Sequence, residues 1–143
     1  MKVLFLCNGN SCRSQMAEGW ARHLLASLVE PYSAGIVPSE LNRLAVRTMA
    51  EAGIDISGQV SKHVDEFLDV DFELVVTVCD SARENCPLFP GKVKMVHAGF
   101  DDPPALAAGA VSEEEAMVHY RRVRDEIKSF VENLPGGLLP LVK

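Results

Sequence analysis

The sequence has no long apolar run. A membrane-spanning helix needs about 20 consecutive, predominantly apolar residues, and no stretch of this chain approaches that length. The apolar start, residues 1–6, is too short for a secretory signal peptide and predicts a first β-strand instead. We therefore expect a cytoplasmic protein that makes no contact with a membrane.

The chain is also short of positive charge. Its 14 Lys and Arg residues stand against 20 Asp and Glu residues, which gives a formal net charge of −6. A net acidic surface suits neither nucleic acid nor an anionic membrane surface. We expect no nucleic-acid partner, and any anion must be bound locally, by a few well-placed groups.

Cysteines are few, and their spacing does not fit a structural metal. Cys7, Cys12, Cys79 and Cys86 form a C-x4-C pair and a C-x6-C pair, with the four histidines scattered elsewhere. In a reducing compartment, cysteines are reactive or metal-binding more often than they form a disulfide framework. Because the usual paired-ligand spacing of zinc sites is absent, we expect no structural zinc and no firm metal site.

Length and patterning predict one compact domain. At 143 residues and 48% hydrophobic content, the chain can bury a substantial core, and no repeat or domain-scale linker divides residues 1–143. Apolar and β-branched runs predict strands at residues 3–6, 31–36, 73–79 and 92–97. Helical periodicity predicts helices over residues 15–29, 39–52, 64–68 and 112–134.

This alternation predicts an α/β fold: a small, doubly wound, mostly parallel four-stranded sheet with helices on both faces. The continuous apolar run at 73–79 predicts a central strand, and 92–97 predicts an outer one. Ser39 is expected to cap the second helix, and Gly53 to follow its end. A capping box from Ser112 to Glu115 opens the last helix, and residues 103–110 are interpreted as a flexible connection.

The most informative stretch is the loop between the first strand and the first helix. It begins at Cys7 and reaches Arg13 in a C-x5-R pattern, so a thiol lies beside backbone N–H groups and a guanidinium. The helix dipole and Arg13 favour a thiolate at Cys7 and attract a tetrahedral oxyanion. The alternative is a buried strand-end cysteine near a helix cap. The predicted anion-binding residues are Asn8, Gly9, Asn10, Ser11, Cys12, Arg13 and Ser14, the last also a donor to the Cys7 sulfur.

A second pair of cysteines follows the predicted third strand. Cys79 ends that strand as Cys7 ends the first, so adjacent parallel strands would bring both thiols to one edge of the sheet. Cys86 lies seven residues further on, and a helical step of that length spans about 10 Å, so pairing with Cys79 requires refolding. Three such thiols suggest a disulfide relay; the alternative is an idle, buried Cys79.

These motifs resemble those of the thioredoxin-coupled arsenate reductases, which share the fold of the low-molecular-weight tyrosine phosphatases. The resemblance covers nearly the whole chain and is carried by residues 7–20, 32–36, 76–79, 85–87, 99–103 and 122–127. Phosphatases of this fold share the loop and the Asp-Pro at 102–103 but lack the Cys79 and Cys86 pair. Their tyrosines after Asp-Pro are replaced here by residues 104–106.

The resemblance implies a mechanism. The Cys7 thiolate attacks arsenate, Asp102 protonates the departing oxygen, and Cys79 and Cys86 pass the disulfide outward to thioredoxin. Asp102 could instead be a turn or helix-cap residue, and Cys12 is assigned to loop structure. No bound cofactor is implied, and we expect a monomer.

The resemblance also suggests a potassium site at Asn10, Glu18 and Ser33. Where several relatives have an acidic ligand, this chain has Lys62, whose ammonium could replace the cation beside Glu18. An ordinary solvated lysine is the alternative. We expect little dependence on potassium.

Two other functions remain open at this stage. A tyrosine phosphatase would use Cys7 and Asp102 and would not need Cys79 or Cys86. A non-enzymatic module would bind an oxyanion or arsenite stoichiometrically, without turnover.

Overall fold

The protein is built on one parallel sheet. The computed structural model describes residues 1–89, 91 and 93–134. Four strands pair in the order β2-β1-β3-β4, and each neighbouring pair is parallel. Their bounds are β1 Lys2–Cys7, β2 Glu30–Gly35, β3 Leu74–Thr77 and β4 Lys94–His97. The predicted sheet is therefore confirmed.

Burial follows the position of each strand in the sheet. The apolar residues of β1 and β3 lie in the core, since both strands are covered on two faces. Strand β4 lies at the edge, and its Lys94 and Met95 are exposed. Both predicted positions are confirmed, with β1 sharing the centre beside β3.

Within the described residues, five helices and two 3-10 turns surround the sheet. The helices are α1 Arg13–Leu24, α2 Arg43–Glu51, α3 Asp80–Glu84, α4 Pro103–Leu106 and α5 Glu113–Glu132, with 3-10 helices at Val64–Phe67 and Ala107–Gly109. Crossover connections between parallel strands are right-handed. The chain crosses the sheet in one direction from β1 to β2 and in the opposite direction from β3 to β4, so α1 and α3 lie on opposite faces. Among the described residues, no helix is both long and apolar enough to cross a membrane.

The first helix is shorter than its apolar pattern predicts. It begins at Arg13, directly after the loop, and ends at Leu24 instead of near Val29. Leu25 and Val29 remain buried, but they lie in a turn closed by the Val29 N–H on the Leu25 carbonyl. The helical spacing of apolar residues continues in the sequence beyond the end of the helix, because the turn that follows also packs on the core.

The second helix is capped by a different residue from the one predicted. Asn42, not Ser39, is the N-cap, and its side-chain oxygen accepts from the N–H groups of Leu44 and Ala45. Residues 39–41 therefore precede the helix. Gly53 follows the helix with φ of 85°, as expected for a residue that must adopt a left-handed conformation.

Two further predictions need correction. Residues 103–110 are not a flexible connection but form α4 and a 3-10 turn. Pro103 begins α4, at a position where the N–H that proline lacks would have no partner in the helix. At α5, Ser112 accepts from the Glu115 N–H, whereas the Glu115 carboxylate accepts from Val111. Only half of the capping box forms. The helix ends at Glu132, two residues before the predicted end at residue 134. The Pro-Gly-Gly segment that follows the predicted helix, residues 135–137, lies outside the described residues, as does Lys92 of the predicted fourth strand.

The third strand ends two residues before Cys79. Cys79 is the N-cap of α3, and its sulfur accepts from the Ala82 N–H at 3.4 Å. Val78 continues the extended chain by donating to the Leu6 carbonyl. Because β1 and β3 are adjacent, Cys79 still arrives at the edge where Cys7 ends β1.

Candidate active site

The loop after β1 turns its carbonyl groups away from the site. The carbonyls of Cys7, Asn8, Gly9 and Ser11 accept from N–H groups of residues 36–42, and that of Cys12 begins α1. In the described part of the chain, no N–H of residues 9–12 donates to a protein acceptor. The loop therefore presents backbone donors at a helix N-terminus, which suits a tetrahedral oxyanion.

Asn10 holds the centre of the loop. It is fully buried with φ of 48°, and its amide donates to Ser14 Oγ at 2.8 Å while Oδ1 accepts from the Lys62 N–H at 2.8 Å. Ser14 Oγ accepts this bond, which leaves its hydroxyl hydrogen free to donate, so the role of Ser14 as a donor to the Cys7 sulfur stays a prediction. The Asn10 carbonyl accepts from Gln15 and Ser61, each at 2.9 Å.

A glycine lets the loop lie against β2. A Cβ on Gly35 would stand 2.7 Å from the Asn8 carbonyl oxygen and 2.9 Å from the Asn10 nitrogen. Both atoms belong to the backbone and cannot swing aside. Only glycine therefore permits this close approach.

The loop encloses a cavity of about 210 Å³ in which the predicted catalytic residues meet, lined by Cys7, Asn8, Gly9, Ser11, Cys12, Arg13, Asp102 and Pro104. The guanidinium of Arg13 donates to the Phe100 carbonyl at 2.9 Å and lies 3.6 Å from Asp102 Oδ1. Asp102 occupies the N-cap position of α4, yet its side chain makes no capping bond. Its carboxyl group is therefore available to the cavity.

Cys7 and Cys79 are both buried, and they lie at the same edge of the sheet because β1 and β3 are adjacent. The nearby Cys7 thiol, with help from the Ala82 N–H and Arg13, lowers the pKa of Cys79 to about 6. The nearby Cys79, with burial, raises the pKa of Cys7 above its ordinary range. The two thiols therefore titrate together, and the first proton leaves the pair more easily than it leaves a free thiol.

Cys12 lies in the same cavity but is not prepared to react. Burial and the nearby Asp102 carboxylate raise the pKa of Cys12 to about 12, although Arg13 opposes this rise. A protonated thiol is a poor nucleophile. This environment agrees with the assignment of Cys12 to loop structure.

Cys86 is the one predicted thiol that the structure keeps apart. It lies past the end of α3, half-buried, in a separate cavity of about 290 Å³ lined by Thr77, Arg83, Cys86, Met95, Val96 and His97. Its thiol donates to the Pro87 carbonyl, and burial raises the pKa of Cys86. All four cysteines are free thiols. Helix α3 lies between Cys79 and Cys86, so their pairing requires this helix to open.

The predicted cation-site residues form a polar cluster behind the loop. Glu18 is almost fully buried, accepts from Ser33 Oγ at 2.5 Å and pairs with Arg22. Lys62 Nζ lies 3.7 Å from Glu18 Oε1 and donates to the Val60 carbonyl at 2.6 Å. Burial lowers the pKa of Lys62, which Glu18 partly offsets. Within the described residues, no group of three or more His, Cys, Asp or Glu side chains is arranged to hold a metal ion.

Several residues that support the site were missed from the sequence. Ser61 and Gln15 fix the loop carbonyls, and the Phe100 carbonyl orients Arg13. Ser61 lies about 50 residues from the loop in sequence, so no local pattern identifies it. Gln15 follows the loop directly and could have been recognised as a polar residue at a predicted buried position.

Comparisons with known proteins agree with this geometry. A profile of the low molecular weight phosphotyrosine protein phosphatase family matches residues 2–138. An arsenate reductase of Bacillus subtilis (strain 168) is 51% identical over 134 residues, which cover 91% of this chain and 94% of the relative.

Two solved structures extend the comparison to the fold. An arsenate reductase in the phosphate binding state superposes with a TM-score of 0.79 at 34% identity, over 94% of this chain and 96% of that one. A thioredoxin-dependent arsenate reductase of Corynebacterium glutamicum gives 0.68 at 26% identity, over 93% of this chain and 58% of that one. The chain described here belongs to the low-molecular-weight phosphotyrosine protein phosphatase family.

Proposed function

We propose that this protein is an arsenate reductase that works through a relay of three thiols and is regenerated by thioredoxin. The observation that carries the proposal is a second buried thiol, Cys79, at the same edge of the sheet as Cys7 and the oxyanion loop. A phosphatase needs one nucleophile in that loop. A second thiol beside the first, and a third beyond a short helix, suit an enzyme that exchanges disulfides.

The reaction begins in the loop. The N–H groups of residues 9–12 and the Arg13 guanidinium bind the tetrahedral oxyanion. Transfer of the Cys7 proton to Cys79 leaves the thiolate on Cys7, which attacks arsenic. Asp102, whose carboxyl group lines the cavity, protonates the oxygen that leaves as water.

The second step reduces arsenic. Cys79 attacks the Cys7 sulfur, the sulfur–arsenic bond breaks with its electron pair remaining on arsenic, and trivalent arsenite departs. Two thiols thus give two electrons and two protons, and a Cys7–Cys79 disulfide forms. Both thiols are already buried at one edge of the sheet, so this step needs only a small displacement of Cys79.

The third step moves the disulfide outward. Cys86 attacks Cys79 once α3 has opened, which restores the Cys7 thiolate and leaves a Cys79–Cys86 disulfide. The dithiol of thioredoxin then reduces this bond by the same exchange chemistry. The Corynebacterium relative, which is thioredoxin-dependent, supports this choice of reductant.

Consumption of NADPH, coupled through thioredoxin reductase and thioredoxin, tests the proposal. We expect continuous arsenate-dependent consumption by the wild type and at most one arsenite per protein from Cys86→Ser. Hydrolysis of an aryl phosphate by the same variant is the control, because the loop does not involve Cys86. Turnover by Cys86→Ser at the wild-type rate would contradict the relay.

Tyrosine phosphatase activity is the second candidate function. The cavity holds the nucleophile Cys7, the anion-binding Arg13 and the acid Asp102, which are sufficient for phosphate ester hydrolysis, and the family profile carries that name. Efficient hydrolysis of an aryl phosphate, with no arsenate-dependent NADPH consumption, would favour this function.

We further propose a cytoplasmic monomer that needs no potassium. The Lys62 ammonium lies between Glu18 and the Val60 carbonyl, where a monovalent cation would be placed by the resemblance. The backbone N–H of the same residue donates to Asn10 Oδ1, so Lys62 also supports the loop independently of its charge. Sedimentation analysis of the purified protein tests the oligomeric state.

A further inference from the structure

The first turn of α3 is held from two sides. On one side, Ser81 Oγ donates to the side-chain oxygen of Asn8 in the anion loop at 2.9 Å. On the other side, Asp80 Oδ1 lies 3.3 Å from His97 Nε2 at the end of β4. These contacts fix α3 to the two strands that flank β3.

His97 is itself held in a defined orientation. Its Nδ1 lies 2.8 Å from Thr77 Oγ1, the residue opposite it in the β3–β4 register. A Cβ on Gly99 would stand 3.2 Å from Nε2, so the glycine leaves room for the ring. The Asp80 carboxylate that His97 contacts also pairs with Arg83 at 3.5 Å. The ring is therefore oriented towards Asp80.

Helix α3 depends on such contacts. It has five residues, and a helix of that length is unstable alone because its nucleation cost is not repaid. A third contact, the Ala82 N–H on Cys79 Sγ, closes its N-terminus. This hydrogen bond depends on the redox state of Cys79, since a disulfide sulfur is a weaker hydrogen-bond acceptor than a thiolate. Oxidation of Cys79 thus leaves the Ser81 and His97 contacts, together with the buried Ala82 side chain, to hold the helix.

We propose that His97 and Ser81 are positioning residues of the thiol relay: they hold α3 closed in the reduced protein, and their release sets how fast Cys86 reaches Cys79. The relay itself rests on the proposed function. The holding contacts do not, because they belong to the reduced protein without substrate.

Two substitutions at His97 separate the contacts of the ring. His97→Asn can keep the contact to Thr77 but is too short to reach Asp80, whereas His97→Gln carries its amide nitrogen to the position of Nε2. In the full-length reduced protein, we expect the amide hydrogen exchange rates of residues 83 and 85 to rise by up to about five-fold in His97→Asn. This factor corresponds to the loss of one interaction between two exposed side chains. His97→Gln should stay at the wild-type rate, and Ser81→Ala should behave like His97→Asn.

Amides of β1 and β3 serve as the internal control, because unchanged exchange there shows that the fold is intact. Unchanged exchange at residues 83 and 85 in His97→Asn, or an equal rise in His97→Gln, would overturn the proposal.

The relay is tested with the same variants. After one reaction with arsenate, the Cys79–Cys86 disulfide should appear faster in His97→Asn than in the wild type, by a similar factor. Slower appearance would overturn the positioning role, because it would mean that His97 promotes the attack of Cys86. Altered exchange without any reaction with arsenate would instead refute the proposed function and leave the holding contacts in place.

Discussion

The anion loop and α3 both carry a reactive cysteine, but they are built in opposite ways. In the loop, the carbonyls of residues 7–12 are engaged, and Asn10 is fully buried with partners on both sides. Helix α3 has five residues, most of them exposed; it buries only Ala82 and makes single polar contacts to Asn8 and His97. One region is fixed by many bonds, the other by few.

This difference matches the two tasks of the proposed reaction. Stabilising an oxyanion requires donors that do not move as charge develops, and a densely bonded loop supplies them. Passing a disulfide from a buried sulfur to an external partner requires a segment that opens at small cost, and segments with few buried contacts are the first to open. The contrast indicates that binding of the oxyanion and entry of electrons from the reductant are assigned to two separate structural elements.

The largest effect should come from removing the nucleophile, which tests the loop without touching α3. Cys7→Ser is expected to lower both arsenate reduction and aryl phosphate hydrolysis by at least about 10³-fold, because the alkoxide is far harder to form than the thiolate. Steady-state rates measure this, with urea denaturation to confirm folding. Retention of either activity within ten-fold of the wild type would place the chemistry elsewhere.

A second substitution tests how rigid the loop is. Gly35→Ala forces a Cβ against the Asn8 and Asn10 backbone, so we expect a loss of about 1–3 kcal/mol in the free energy of unfolding and weaker arsenate binding. Gly58→Ala is the matched control, since a Cβ there meets nothing within 4 Å. Urea denaturation and calorimetric titration provide the measurements. Equal behaviour of the two variants would show that the loop tolerates displacement.

The titration of Cys79 gives a pH test of the interaction between the two regions. The ultraviolet absorbance of thiolate should rise with pH around the Cys79 pKa of about 6 in the wild type. Cys7→Ala removes the thiol that lowers this pKa, so the transition should move up towards the ordinary thiol value of about 8.5. Cys86→Ser should leave it in place. A wild-type protein without any thiolate transition below the ordinary range would contradict the pairing.

The smallest effect concerns the support behind the loop. Because Lys62 already supplies a positive charge beside Glu18, replacing sodium by potassium at equal ionic strength should change turnover by less than about two-fold. Lys62→Gln removes that charge and is the variant in which a dependence on potassium could emerge. Several-fold activation of the wild type by potassium would refute the substitution of the cation by lysine.

Much of the site was predictable because it is local in sequence. The apolar run of β1 places Cys7 at a strand end, and the C-x5-R spacing places Arg13 at the start of α1. The edge position of Cys79 also followed from the adjacency of two parallel strands. These inferences needed only strand and helix patterns.

Other features depend on tertiary contacts that leave no local pattern. Cys79 lies two residues after the end of β3 and caps α3, because its sulfur accepts a hydrogen bond from the Ala82 N–H. Asn42 replaces Ser39 as the cap of α2, since residues 36–42 must first pair with the loop. The contact of His97 with Asp80 joins residues that a pattern reading assigns to separate elements.

The central claim is that three thiols act in order, and disulfide mapping after a single reaction with arsenate tests it most directly. The account predicts that the wild type ends with a Cys79–Cys86 disulfide. Cys86→Ser should release one arsenite per protein and stop with Cys7 bonded to Cys79. Release of arsenite without a Cys7–Cys79 disulfide in that variant, or no arsenite from either protein, would contradict it.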